Sequence, residues 1–218
     1  MGNRIRDLRD SYPQHIWVRG NNRRRLFSYQ RDFEHFLRIL NKAAAKRAVE
    51  IWALALMSNH YHLIATPLKA VELPGVLKET NQRWAQVRNH GQGRSGKLFE
   101  QSYGSKLIET SGQLVVSTLY VEANPTLAGM AAHPSDYRYT SYNIHAGGNV
   151  PSRILRAVIT PSPWIAGLAS TRTEQKLAYQ RLMRDYLVEK KPPPHVSGEG
   201  FDASRTLPPR RPDRSRAT

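Results

Sequence analysis

The chain of 218 residues contains no cysteine. That excludes a disulfide scaffold, a thiolate zinc site, an iron–sulfur centre and a cysteine nucleophile, and it agrees with a cytoplasmic setting. No stretch approaches the ~18 consecutive apolar residues of a membrane-spanning helix. The opening MGNRIRDLRD lacks the apolar run of a secretory signal, and Arg6 stands where a myristoylation signal needs Ser or Thr. Acidic residues are scarce as well: 17 Asp and Glu face 33 Lys and Arg, a formal charge of +16. Such an excess suits a polyanion. No helix combines a clean basic face with a broad apolar one, so the expected partner is nucleic acid, not a membrane. The length fits one domain with appendages and a sizeable core.

Residues 12–20 (YPQHIWVRG) are rich in β-formers and end at Gly20, predicting a strand followed by the basic loop 20–25 (GNNRRR). Ser28 is placed to cap a helix that runs to about Arg47, with Phe33, Phe36, Leu37 and Leu40 on one face. Residues 49–67 are apolar and β-branched at both ends, and Met57-Ser58-Asn59 divides them into two strands. A helix over 73–90, a flexible basic loop over 91–96 and a strand within 98–108 follow. Ser111 caps a further helix, which Pro125 is expected to end because the residue before a proline is pushed out of the α region. The order is that of the ferredoxin-like, RRM-like β-α-β-β-α-β unit: an α+β fold with an antiparallel sheet and one added helix. Beyond Pro134 the chain is loop-rich, with a last helix over 173–190. Residues 191–218 are basic, proline-rich and poor in large apolar side chains, and are expected to be disordered.

Two short elements carry chemistry. His60 and His62 lie two apart on a predicted strand, so both imidazoles project from one face. Two histidines at this spacing can share a divalent cation; alone, such a pair is more often two ordinary half-buried histidines. Tyr120 and Asn124 are one turn apart on a helix and share a face; alone, such a tyrosine is ordinarily packing.

Together these elements resemble a known family. Met57-Ser58-Asn59-His60-Tyr61-His62-Leu63 resembles the M-x-N-H-x-H-L block of the HUH single-tyrosine transposases. Tyr120-Val121-Glu122-Ala123-Asn124-Pro125, followed by Ala128-Gly129, resembles the Y-I-E-x-N-P-x-x-A-G block of the REP-associated branch, whose relatives are the transposases of IS200-like elements. Val18 to Arg23 is similar to that family's R-G-N-N-R segment, and Arg94-Ser95-Gly96 with Leu98-Phe99-Glu100 to its R-x-G-x-L-W/F-E stretch. Asp136 to Tyr142 is similar to D-Y-x-W-S-S-Y, with Tyr139 and Thr140 as departures. The likeness spans roughly residues 12–186.

The resemblance implies Tyr120 as nucleophile, on the added helix, and His60 and His62 as ligands of Mg²⁺ or Mn²⁺. Asn124 matches the position of a metal-ligating amide and is preferred to Glu122, which should point away from that face. It further implies a catalytic domain over 1–145, a helical extension packed on it over 146–190 and the tail over 191–218. The chemistry is consistent with elementary considerations. A tyrosine hydroxyl, pKa ≈ 10, is a weak nucleophile unless its electrophile is polarised. A divalent ion can do that, and imidazole suits Mn²⁺ better than Mg²⁺. A 5′-phosphotyrosine ester keeps the bond energy, and the chain has no P-loop motif. Arg19, Arg23, Arg24, Arg25, Arg94 and Lys97 are candidate phosphate contacts. Tyr103 and Trp84 are possible stacking residues, Trp84 being the better core candidate.

The expected activity is metal-dependent cleavage and rejoining of single-stranded hairpin DNA, as in transposition or repeat mobilisation. The alternative is a catalytically silent single-strand nucleic-acid-binding protein on the same fold; a binding protein has no physical need of His60, His62, Tyr120 and Asn124 together. A zinc hydrolase is disfavoured because no general-base carboxylate stands beside the histidines. The extension favours a monomer over a dimer; the expected location is the cytoplasm, nucleoid-associated when DNA is bound.

Overall fold

The computed structural model describes residues 7–189; the tail over 191–218 lies outside them. Four strands form one antiparallel sheet: β1 (Gln14–Arg19), β2 (Val49–Leu56), β3 (His60–Pro67) and β4 (Gly104–Leu107), in the order β2-β3-β1-β4. With α1 (Gln30–Lys46) and α2 (Glu72–Gly91) this is the ferredoxin-like arrangement. The added helix α3 (Ser111–Leu127) follows, then the short helices α4 (Tyr142–Ala146), α5 (Arg153–Val158) and α6 (Pro163–Ala166), and finally α7 (Arg172–Glu189).

Both faces of the sheet are covered, which is why β2 and β3 are almost continuously buried. On one face, Phe36, Leu37 and Leu40 of α1 and Leu73, Val76, Leu77 and Trp84 of α2 pack on alternate residues of the strands. On the other face, Leu114 and Val121 of α3 pack on Trp52, Ala53, Ala55 and Ile64. A bulge at Trp52 breaks the β2–β3 register between Ile51 and Ala53. Leu119 and Ala123, elsewhere on α3, join Tyr142, Tyr179, Met183 and Tyr186 in a cluster made with α4, α6 and α7. The helix is thus held from two directions.

Three local expectations are corrected. Pro125 does not end α3, which continues to Leu127. A proline in the final turn forfeits one hydrogen bond only, and the amides of Ala128 and Met130 still donate to the carbonyls of Asn124 and Pro125. Ser111 is not the cap: Thr110 Oγ1 accepts from the Gln113 amide at 3.2 Å, while Gln113 Oε1 accepts from the amides of Glu109 and Thr110. Ser28 does not cap α1 either. Its amide and that of Tyr29 donate to Asp32 Oδ2, which also receives the buried Arg88 at 2.9 Å. The strand expected within 98–108 is present as Gly104–Leu107, with a single bridge between Gly20 and Phe99 before it.

Candidate active site

The face of the sheet beneath α3 carries the chemistry. Cross-strand register sets His62 opposite Trp17, and His60 opposite Arg19, on neighbouring β3 and β1. Residues two apart on a strand share a face, so His15, Trp17 and Arg19 stand with His60 and His62. The His60 and His62 rings lie 5.3 Å apart, and Tyr120 of α3 comes edge-on to His62 at 5.7 Å. Asn124, one turn on, hydrogen-bonds the His60 side chain. Four residues far apart in sequence meet because α3 lies across β3. Tyr120 is 38 % exposed, whereas His62 is 8 % exposed: the phenol faces solvent above a half-closed floor.

His15 is the residue that sequence reasoning missed. Its Nε2 lies 3.0 Å from His62 Nδ1, with the two rings stacked at 5.2 Å. It also meets the Tyr120 ring edge-on at 5.6 Å. The usable signal was its parity with the candidate strand face, once β1 and β3 are known to be neighbours. Burial lowers the pKa of His62 to about 3, aided by His15 and His60. Burial, and then Lys106, lower His15 to about 4. Burial lowers His60 too, against the Asn124 hydrogen bond, which raises it. All three imidazoles are therefore neutral at pH 7, the form that offers a lone pair. Among the described residues no three His, Asp or Glu side chains form a group that could hold a metal ion. Any such site on this face needs the Asn124 amide or solvent to complete it.

Glu122 behaves as its position on the helix requires. It is fully buried on the side of α3 away from the histidines. Oε1 accepts from Ser141 and lies 2.8 Å from His145 Nδ1, and Oε2 accepts from Tyr179 at 2.5 Å. Close by, Tyr186 of α7 has its pKa raised, first by burial and then by neighbouring Tyr120.

The cationic residues gather at one end of the sheet. The segment 20–27 is pinned to the turn before β3: the Gly20 amide donates to the Asn59 carbonyl at 2.8 Å, and those of Leu26 and Phe27 donate to the Ser58 carbonyl. A Cβ on Gly20 would stand 2.1 Å from the Arg24 carbonyl oxygen, so the tight return of this loop requires glycine. Asn22 and Arg23 hold left-handed φ values of 52° and 56°, a conformation costly for side-chain-bearing residues. The Asn21 amide donates to the Leu98 carbonyl, which brings the loop carrying Arg94 and Lys97 alongside. Arg23, Arg25, Arg94 and Lys97 are exposed and Arg24 is half-buried. Arg19 donates Nε to Glu100 at 2.8 Å. Trp84 and Tyr103 are buried, which removes both as stacking surfaces. Beside Tyr120, the exposed aromatic on this face is Trp17, 37 % exposed. Its indole lies over Gly104, where a Cβ would come within 2.1 Å of the ring.

The ferredoxin-like sheet thus carries a helix-borne tyrosine over paired strand histidines. The model of the family described as "Transposase IS200 like" matches residues 9–124, a little over half of the chain, and the chain belongs to that family. The matched span reaches from the strand of His15 to Asn124. A solved structure of a REP-associated tyrosine transposase bound to a REP hairpin shares the fold, with TM-score 0.58 and 17% identity over 70% of this chain and 94% of that one. A candidate transposase from Deinococcus radiodurans R1 is more distant, with TM-score 0.39 and 14% identity over 60% of this chain and 96% of that one. No curated protein matches the chain. Among the described residues no helix is long and apolar enough to cross a membrane.

Proposed function

We propose that this transposase-family chain is a metal-dependent endonuclease and strand transferase for single-stranded DNA beside a hairpin. The observation that carries the reading is the meeting of Tyr120 and Asn124 with two neutral histidines on one half-open face. The donor set fits a divalent ion. Two imidazoles and an amide leave coordination positions for phosphate oxygens and water, and the imidazoles favour Mn²⁺ over Mg²⁺. His60, His62 and Asn124 would hold the ion. Bound there, it would supply charge to polarise and orient the scissile phosphate.

The remaining work falls to the protein. Tyr120 Oη attacks phosphorus, the P–O3′ bond breaks, and the 3′ oxygen leaves and takes up the proton that the phenol gives up. The products are a 5′-phosphotyrosine ester and a free 3′-OH, and reversal with another 3′-OH rejoins the strand without ATP. In-line attack needs a strand whose phosphate can turn toward Tyr120, which a paired duplex resists. Arg19, Arg23, Arg24, Arg25, Arg94 and Lys97 track the backbone, and Trp17 offers a stacking face to an unpaired base.

The test is incubation of the full chain with Mn²⁺ and single-stranded hairpin DNA from the gene's own flanks, resolved on a denaturing gel. A protein–DNA adduct with a free 3′-OH on the released strand is expected, with little product from duplex. Equal cleavage of duplex and single strand would remove the mechanism.

A further inference from the structure

We propose that His15 and Asn59 are positioning residues that keep His60 and His62 protonated on Nδ1, so that both Nε2 atoms present lone pairs toward a shared ligand. The proposal rests on the metal reading above, which also selects His15 as the acceptor in its contact with His62.

A neutral imidazole donates through one ring nitrogen and accepts through the other, and its hydrogen-bond partner selects which. His60 Nδ1 lies 2.7 Å from Asn59 Oδ1. An amide oxygen only accepts, so a proton on Nδ1 of His60 satisfies this contact, and the Asn124 amide, which also hydrogen-bonds His60, can meet the Nε2 lone pair with its NH₂ group. The orientation of that amide is set on its other side, where Asn59 Nδ2 faces the Arg23 carbonyl oxygen at 3.5 Å. A carbonyl cannot donate, so nitrogen points there and oxygen toward His60. His62 Nδ1 faces His15 Nε2 at 3.0 Å. With His15 as acceptor, His62 carries its proton on Nδ1 and its Nε2 is free. With His15 as donor, Nε2 of His62 would carry the proton and could bind nothing.

The His15 ring cannot swing away. It is stacked on His62 and edge-on to Tyr120, and Trp17 lies against it at 5.4 Å. Nor is it a third ligand, since His15, His60 and His62 do not form a group that could hold an ion. The two supports come from different elements. Asn59 is in the turn before β3, while His15 is on β1. One strand pairing and one turn thus set the same tautomer twice.

The experiment has two readouts on the full chain. Long-range ¹H–¹⁵N correlation on metal-free protein labelled at histidine reports the tautomers directly. Nδ1–H is expected for both His60 and His62, with His62 losing that preference in His15→Phe, which keeps the ring's bulk. Titration with Mn²⁺ alone reports affinity. His15→Phe and Asn59→Ala should each weaken it about 10- to 100-fold. His15→Gln and Asn59→Asp, which restore an acceptor oxygen, should recover most of the loss. An Nε2–H tautomer at His62 in the wild type, or wild-type Mn²⁺ affinity in His15→Phe, overturns the proposal. Failure of Gln to do better than Phe overturns it as well. Nδ1–H on both histidines in a wild type that binds no Mn²⁺ upholds the positioning and removes the metal reading instead.

Discussion

The two sides of α3 are built on opposite principles. Over the central strands β3 and β1, Tyr120 and Asn124 sit half-exposed above neutral imidazoles. On the other side, Glu122 is buried with Ser141, His145 and Tyr179, and Leu119 and Ala123 pack among the C-terminal helices. The reactive side needs open coordination and room for a phosphate, so it cannot supply its own rigidity. The buried side supplies it. A carboxylate with partners from α4, α7 and the residue before α4 fixes the rotation of α3 about its axis, and one turn fixes Tyr120 relative to Asn124. Residues beyond the family-matched 9–124 therefore hold α3 from behind.

This contrast can be broken most forcefully at the phenol. Tyr120→Phe should lower hairpin cleavage by ~1,000-fold or more, equivalent to about 4 kcal/mol, with hairpin affinity and the unfolding midpoint near wild type. Retained cleavage in that variant would point to another nucleophile.

The reverse pattern is expected at Glu122. Glu122→Ala strips partners from Ser141, His145 and Tyr179 and should cost about 3 kcal/mol of stability in urea unfolding. Glu122→Gln should cost less. A loss under about 1 kcal/mol would show that packing alone holds α3.

Acid should distinguish the two sides next. His15 and His62 have pKa values of about 4 and about 3, both depressed by burial below the 6.5 of the unfolded chain. The unfolded state therefore binds more protons as pH falls below 6.5. Their stabilisation is complete above that pH and is lost progressively down to about 4 for His15 and about 3 for His62. At pH 5 each contributes a loss of at most about 2 kcal/mol. His62→Phe should flatten the pH dependence of the metal-free protein; an unchanged slope would show that His62 is protonated in the native state.

Smaller effects belong to the strand-tracking surface. Arg23→Ala with Arg24→Ala should reduce the salt dependence of single-strand binding by about 1.4 in log–log slope, two phosphates at ~0.7 each, for all sequences alike. An unchanged slope removes this loop from the binding surface. Trp17→Ala should weaken binding about tenfold, within the 1–3 kcal/mol of one stacked base. Because Trp52 and Trp84 are fully buried and Trp164 packs on Tyr179 among the C-terminal helices, fluorescence quenching on binding should largely disappear in Trp17→Phe; full quenching in that variant would place the contact elsewhere.

The sequence determined the ferredoxin-like order, the strands 49–56 and 60–67 to the residue, and α1, α2 and α7 to within one or two residues, because period-two and helical apolar patterns are local; the short helices α4, α5 and α6 lie where it showed only loop. It also marked His60, His62, Tyr120 and Asn124, since spacing along one strand or one helix decides which of them share a face. The pull of Glu122 away from that face was readable for the same reason. What lay out of reach was everything set by neighbours distant in the chain. His15 enters the site only because β1 pairs with β3, a register decided by the whole sheet. Trp17 reads as an ordinary strand residue until Gly104 is found beneath it. Tyr103 looked available until it was covered. Pro125 appeared to end its helix because the local rule counts one lost hydrogen bond and not the packing of Leu119, Val121 and Ala123 that carries α3 past it. Local pattern chose the elements and the faces of each; burial between elements, which depends on non-local contacts, decided which side chains remain free to act.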